Sequence, residues 1–196
     1  LGTIESARDA GREIILSEVR TSRRENKLPN GMELHCNEIS GHLNGKATYN
    51  TEDGTSIISF YKNNILEGPI EVLKDGKILF TGKIEHSSIS GEVFEINDSG
   101  DVFQGYYVNG RRNGKGKLKF ANGNSYEGDF CNSNMHGFGT FIWNSGSKYE
   151  GSFKFNKLDG KGEMSFPDSS RYSGEFSKNL MEGLGMMIYP DQSVFE

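Results

Sequence analysis

The chain has 196 residues, of which 34% are hydrophobic and 26 are glycine, a composition that is thin for an ordinary globular core. Its formal net charge of −5 argues against a nucleic-acid-binding surface over the whole domain. No apolar run approaches the roughly 20 residues that cross a bilayer, and the first residues do not form a signal peptide. The chain begins without methionine and ends one residue after Phe195, so we expect it to be part of a longer protein.

The first 27 residues lack the periodicity of the rest and predict a helix over residues 4 to about 26. Thr3 is a suitable N-cap, and Ile4, Ala7 and Ile14 follow helical spacing. Two roles are open for this helix. It covers the first strand edge, which is otherwise an exposed pairing site, or it lies in a groove of the repeats as a stand-in for a partner.

From residue 28 to residue 196 the chain is predicted to be one repeat domain, because its pattern returns every 23 residues. A fixed period in this range indicates a repeat architecture, in which neighbouring units share a continuous core. The predicted units are 34–56, 57–79, 80–102, 103–125, 126–148, 149–171 and 172–194, followed by a truncated unit.

The early units depart from the later pattern. Cys36 and Ser59 replace a first glycine, and Ala47, Ile70 and Val93 replace a later one. Few aromatic residues precede residue 80, so leucine, isoleucine and valine are expected to pack these units. They either cap the stack or recognise something different from the later units.

In the later units, glycine and aromatic residues alternate with polar ones, which is the period of a β-strand. The unit from Tyr126 places these residues on one face: Tyr126, Gly128, Phe130, Gly137, Gly139, Phe141 and Trp143. Asn132 to Met135 are expected to form the turn between its strands. Asn-Gly and Asp-Gly pairs, which tolerate the positive φ of tight turns, predict further turns: Asp53-Gly54, Asp75-Gly76, Asn113-Gly114, Asn122-Gly123 and Asp159-Gly160.

The segment Tyr126-Glu127-Gly128-Asp129-Phe130, followed by His136-Gly137-Phe138-Gly139 and Gly146, resembles the MORN repeat (membrane occupation and recognition nexus). The resemblance runs from about Leu34 to Phe195 and is strongest from Phe103 onward. We therefore predict a mainly β fold: an elongated single-sheet solenoid, or meander, of antiparallel hairpins, with an N-terminal helix. The resemblance also implies a scaffold in the cytoplasm, associated with the cytoskeleton or the inner face of a membrane.

Our leading hypothesis is that the chain is not an enzyme and binds a protein partner, a helix or an extended peptide, along its aromatic and glycine-rich face. A homo-oligomer through the terminal repeats is a further expectation. The candidate partner-binding residues are large rings with small neighbours: Phe103, Phe120, Tyr126, Trp143, Tyr149, Phe166 and Tyr172.

Two other functions stay open. A run of basic residues in one unit could hold anionic phospholipid headgroups, or could be an ordinary solvated face: Arg111, Arg112, Lys115, Lys117 and Lys119. The resembled repeats also precede lipid-kinase and SET-type methyltransferase domains, so the chain could be the regulatory part of an enzyme.

Catalytic and metal-binding patterns are missing from the sequence. The four histidines have no metal-ligand spacing, and Gly-x-Gly pairs recur without the helix that a nucleotide site needs. Cys36 and Cys131 occupy different positions of the repeat, so we expect no disulfide and a reducing compartment. We predict no cofactor and no metal.

Overall fold

The computed structural model describes residues 27–28, 32–33, 37–39, 42–51 and 53–196. The helix predicted over residues 4 to 26 lies outside these residues. The described residues fall into two compact units. The first comprises those up to Gly100 together with Val108–Gly110, and the second comprises Asp101–Tyr107 and Arg111–Glu196.

The first unit is antiparallel β-sheet with short connections. Its strands are β1 (Lys27–Leu28), β2 (Met32–Glu33), β3 (Asn37–Ile39), β4 (His42–Asn50), β5 (Thr55–Lys62), β6 (Ile65–Leu66), β7 (Gly68–Lys74), β8 (Lys77–Glu85) and β9 (Ser88–Ile96). β1 pairs with β2 alone, while β3, β4, β5, β7, β8 and β9 are neighbours in that order and β6 pairs with β5.

The core of the first unit is mainly aliphatic, as its residues predicted. Ile57 lies opposite Val72, and Val72 lies opposite Phe80, and all three side chains are buried. Ser59 is 1% exposed, and its hydroxyl has no hydrogen-bond partner among the described residues. An aliphatic stripe therefore forms one face of this sheet, with a buried serine where the next period has Gly82.

The second unit repeats one pair of strands. The strands that lie wholly or mainly in this unit are β10 (Val102–Val108), β11 (Arg111–Lys119), β12 (Ser125–Cys131), β13 (Asn134–Ile142), β14 (Lys148–Lys154), β15 (Lys157–Ser165), β16 (Arg171–Ser177), β17 (Leu180–Ile188) and β18 (Val194–Phe195). Sequential strands are hydrogen-bonded neighbours, and the pairings from β11 to β18 are antiparallel. The prediction of a mainly β, antiparallel fold is therefore confirmed.

The hairpin turns contain two residues with positive φ, as tight hairpins require. Asn132 and Ser133 have φ of 48° and 66°, and Met135 beyond them is buried in β13. The turn predicted from Asn132 to Met135 was thus too long, because the strand resumes at Asn134. Turns do occur at Asp53-Gly54, Asp75-Gly76 and Asn122-Gly123.

The turns predicted at Asn113-Gly114 and Asp159-Gly160 were wrong, because both pairs lie inside strands. Gly114 has φ of 72° and Gly160 has φ of 104°. Gly160 lies where the pairing of β14 with β15 shifts register, between Gly151 and Phe153. The same positive φ that allows a turn also allows a β-bulge, and here the sequence signal marks the bulge.

A ladder of backbone hydrogen bonds ties each hairpin turn to the preceding hairpin. The amide of Asn156 donates to the carbonyl of Met135 at 3.0 Å, and its Oδ1 accepts from the Met135 amide at 2.7 Å. Asn179 repeats both bonds with Leu158, each at 2.9 Å. In the first unit, Asn64 does the same with Leu43. An asparagine in this turn therefore fixes the spacing between neighbouring hairpins.

Candidate functional site

A column of interlocked rings forms the core of the second unit. We call it the ring column: Phe103, Phe130, Tyr126, Phe153, Tyr149, Phe176 and Tyr172. Successive ring centroids lie 4.9–5.2 Å apart and meet edge to face, the favourable geometry for aromatic pairs. Each tyrosine between the ends contacts a phenylalanine of its own period and one of the next period.

Glycine is required beneath these rings. A Cβ on Gly139 would lie 2.5 Å from the ring and hydroxyl of Tyr126, and one on Gly128 would lie 2.5 Å from the Cα of Gly139. Gly128 and Gly139 are directly opposite in neighbouring strands. The ring therefore covers two backbone segments that no side chain separates.

The tyrosine hydroxyls are satisfied inside the fold. Tyr126 donates to the carbonyl of Asp129 at 2.8 Å, Tyr149 to that of Ser152 at 3.0 Å, and Tyr172 to that of Glu175 at 3.2 Å. Burial raises the pKa of Tyr149 to about 12. Burial, and then the nearby Asp129 carboxylate, raise the pKa of Tyr126 further above its ordinary value. The hydroxyls of Tyr126 and Tyr149 therefore stay neutral at physiological pH.

The structure separates the predicted partner-binding rings into two sets. Phe103, Tyr126, Tyr149 and Tyr172 are 0%, 1%, 0% and 8% exposed, so they belong to the core of the unit. The other predicted rings, Phe120, Trp143 and Phe166, follow the ends of β11, β13 and β15. Tyr189, which was not predicted, follows the end of β17 in the same way, and we call these four rings the rim row. Phe120, Trp143 and Phe166 are half-buried and Tyr189 is 43% exposed. Of the seven predicted rings, those in the rim row are the ones that a partner can reach.

The side of the second unit opposite the ring column, here called the open face, carries a trough of about 560 Å³. Phe138 on β13 lies at one end and Leu184 on β17 at the other, 54% and 85% exposed. Glu150, Lys161 and Glu163 lie between them. Large side chains with this exposure and an unfilled space between them form a surface that a ligand can cover.

Sequence reasoning missed Phe138 and Leu184 as functional candidates, although a signal was present. The same position in consecutive periods holds Lys115, Phe138, Lys161 and Leu184. An apolar residue at a position that otherwise carries lysine on an exposed strand face is not needed for solubility or for the core. This alternation of lysine with apolar residues could have identified Phe138 and Leu184 as candidates from the sequence.

The predicted basic residues lie on two sides of the sheet. Lys115, Lys117 and Lys119 are exposed and share one face, as period two predicted. Lys115 forms an ion pair with Asp129, and Lys117 with Glu127, each at 2.9 Å. The guanidinium of Arg112 instead lies 4.6 Å from the centre of the Phe103 ring, while Arg111 is exposed. The acids of β12 thus neutralise part of the charge.

Within the described part of the chain, no group of three or more histidine, cysteine, aspartate or glutamate side chains is placed to hold a metal ion. Cys131 is a free thiol there. Among the same residues, no helix is long and apolar enough to cross a membrane.

The fold and its glycine-ring core define a class of repeat protein built from paired antiparallel strands. Residues 103–125, 126–148, 149–171 and 172–194 match the family model described as MORN repeat. Residues 103–194 are therefore four consecutive MORN repeats, and the resemblance in the sequence is confirmed there. A search of the curated proteins found no match to the chain.

Two solved structures match the chain weakly. One is the TCP domain of SAS-4 (dCPAP) of Drosophila melanogaster, in complex with a proline-rich motif of Ana2 (dSTIL). It is 15% identical, with a TM-score of 0.41, and the match covers 76% of this chain and 87% of that one. The other is a mutant of the TCP10 domain of Danio rerio CPAP, 11% identical with a TM-score of 0.24, covering 86% and 95%. Likenesses this weak carry no information about what this chain binds.

Proposed function

We propose that this chain is a non-enzymatic scaffold segment whose MORN repeats bind a helix or peptide of a protein partner. The observation that carries the proposal is the trough on the open face, bounded by Phe138 and Leu184. Large apolar side chains with this exposure, around a concave and otherwise polar floor, are typical of interaction sites. We also propose a location in the cytoplasm, with the cytoskeleton or a membrane's inner face, and the resemblance to scaffold proteins supports this part of the proposal.

The rim row offers the partner a second surface. Phe120 lies 5.8 Å from Phe141, and Phe141 lies 4.7 Å from Trp143, measured between ring centres. Half-buried rings in contact with one another are held in place, so binding costs them little further loss of side-chain freedom. Of the seven rings proposed from the sequence, those on the rim are the ones that can touch a partner directly.

The proposal is tested by capture with single-surface variants. The whole chain is immobilised, captured proteins are identified by mass spectrometry, and a candidate is then purified and its affinity measured. We expect Phe138→Ser with Leu184→Ser to weaken binding by about tenfold or more, since exposed anchors of this kind dominate interface energy. Trp143→Ser with Phe166→Ser tests the rim row in the same assay.

Phe155→Ser is the matched control, because Phe155 is 62% exposed, lies in a turn and does not line the trough. It should leave binding unchanged. Melting temperatures of all variants separate lost contact from lost folding. If binding falls only in variants that also melt earlier, the scaffold proposal fails.

Phospholipid binding is the second candidate, and the exposed lysines of β11 favour it. Flotation with vesicles that contain phosphatidylserine tests it, using Arg111→Glu, Lys115→Glu and Lys119→Glu together. Release of the triple variant supports lipid binding. Equal flotation of both proteins, or none by the original chain, contradicts it.

A further inference from the structure

The charges in the trough point to the chemistry of its occupant. Glu150 on β14 and Glu163 on β15 are directly opposite each other, and both line the trough. Like charges in this arrangement destabilise a pair of strands. Lys148 Nζ forms an ion pair with Glu150 Oε2 at 2.8 Å. Glu163 forms no ion pair with any residue in the described ranges. A cation placed between the two carboxylates would relieve their repulsion.

The trough as a whole is acidic. Its lining includes three carboxylates, Glu150, Glu163 and Glu175, and a single ammonium group, that of Lys161. A segment with positive charge in its middle and apolar side chains toward its ends therefore complements the surface better than a neutral or acidic one.

The direction of the trough decides the conformation of that segment. From β13 to β17 there are four interstrand steps of about 4.8 Å, so Phe138 and Leu184 are separated by about 19 Å across the strands. Because β14, β15 and β16 are each paired on both sides, the floor has no free row of backbone donors and acceptors. A bound segment must satisfy its own backbone groups, as a helix does.

We propose that the trough binds a basic amphipathic helix of the partner protein, with an apolar residue against Phe138, another against Leu184, and lysine or arginine over Glu150 and Glu163. This inference rests on the proposed protein-binding function and specifies its partner. Eleven residues of helix rise about 17 Å, so anchors eleven positions apart on one helix face match the spacing of the two walls.

A designed peptide tests the inference directly. The probe is an alanine-rich, end-capped helix of 15 residues with leucine at its second and thirteenth positions and lysine at its sixth and ninth. These four positions share one face. The matched peptide has glutamate in place of both lysines. Fluorescence anisotropy with the whole chain should give at least about tenfold tighter binding for the basic peptide, and salt should weaken it.

Two variants of the chain should change the affinity for the basic peptide in opposite directions. Glu163→Gln should weaken the basic peptide about twofold to fivefold, and Lys161→Gln should strengthen it by a similar factor, the range for partly exposed ion pairs. Lys157→Gln is the control, since Lys157 is exposed and does not line the trough. Equal binding of both peptides, including none by either, or no effect of Glu163→Gln, overturns the inference.

Failure here is distinguishable from failure of the scaffold proposal. If Phe138→Ser with Leu184→Ser releases the natural partner while the two peptides bind alike, the trough is a protein-binding site with a different occupant. If the double variant retains the partner, the trough is not the site.

Discussion

At the position where the second unit has Gly116, Gly139, Gly162 and Gly185, the first unit has Ala47, Ile70 and Val93. The ring position changes with it: Tyr126 and Tyr149 correspond to Ile57 and Phe80. The first unit fills its face mainly with aliphatic side chains, and the second fills it with rings above two backbone segments that carry no side chain. The same strand pairing thus accepts two kinds of core.

Among the tests of this comparison, removal of a buried ring should change the free energy of unfolding most. Tyr149→Ala is expected to lower the free energy of unfolding by about 3–5 kcal/mol, because Tyr149 is fully buried and packs on Phe153 and Phe176. Ile57→Ala, the matching change in the first unit, should cost about 2–4 kcal/mol. Amide hydrogen exchange, read strand by strand, assigns each loss to its unit. A larger loss at Ile57 than at Tyr149 would contradict the account of the ring column.

Alanine at the position shared by Gly139 and Val93 should destabilise both units, but for opposite reasons. In Gly139→Ala the added methyl group would lie where the Tyr126 ring already is. This overlap should lower the free energy of unfolding by about 1–3 kcal/mol. At Val93, which is 3% exposed, loss of volume is harmful instead, and Val93→Ala should cost about 1–2 kcal/mol. Urea unfolding measures both. If alanine were tolerated at position 139, the ring could not lie against the backbone there.

Removing one hydroxyl should have the smallest effect, and it depends on pH. Tyr149→Phe loses the hydrogen bond to Ser152 and should cost about 0.5–1.5 kcal/mol at neutral pH. The folded-state pKa of Tyr149 is raised to about 12, above the ordinary value of about 10. Its contribution is therefore fully present below pH 10 and is lost as the pH rises toward 12.

Denaturation measured at pH 8 and at pH 11 checks this pH dependence. Tyr149→Phe should be less sensitive to the change of pH than the original chain, and Tyr189→Phe, at an exposed site, serves as the control. If all three proteins lose the same stability between pH 8 and pH 11, ionisation of Tyr149 is not the cause of that loss.

Much of the second unit follows from its sequence, because the 23-residue period places rings and glycines on one face of every hairpin. The bulges do not follow, since Asn-Gly and Asp-Gly signal positive φ in a turn and in a bulge alike. Register across a bulge decides which side chains meet on the open face. The approach of Phe138, Lys161 and Leu184 around one trough could therefore not be read from strand alternation alone.

The rings were predicted as a partner surface for a related reason. Alternation identifies a face, but it does not say whether the sheet's own side chains fill that face. The rim row stays accessible because it lies beyond the strand ends, where no following ring covers Phe120, Trp143 or Phe166 completely. Burial depends on the next hairpin in space, which a single period does not contain.

The hydrogen bonds that the turn asparagines make to the preceding hairpin have a consequence for how such a chain can change in length. Asn156 binds Met135 and Asn179 binds Leu158, each across 21 residues of sequence. Excision of one whole period, such as 126–148, would rejoin equivalent donors and acceptors, whereas excision of one residue more or fewer would misalign the hydrogen bonds that span the junction. Insertion or deletion of entire hairpins is thus the change in length that best preserves these hydrogen bonds.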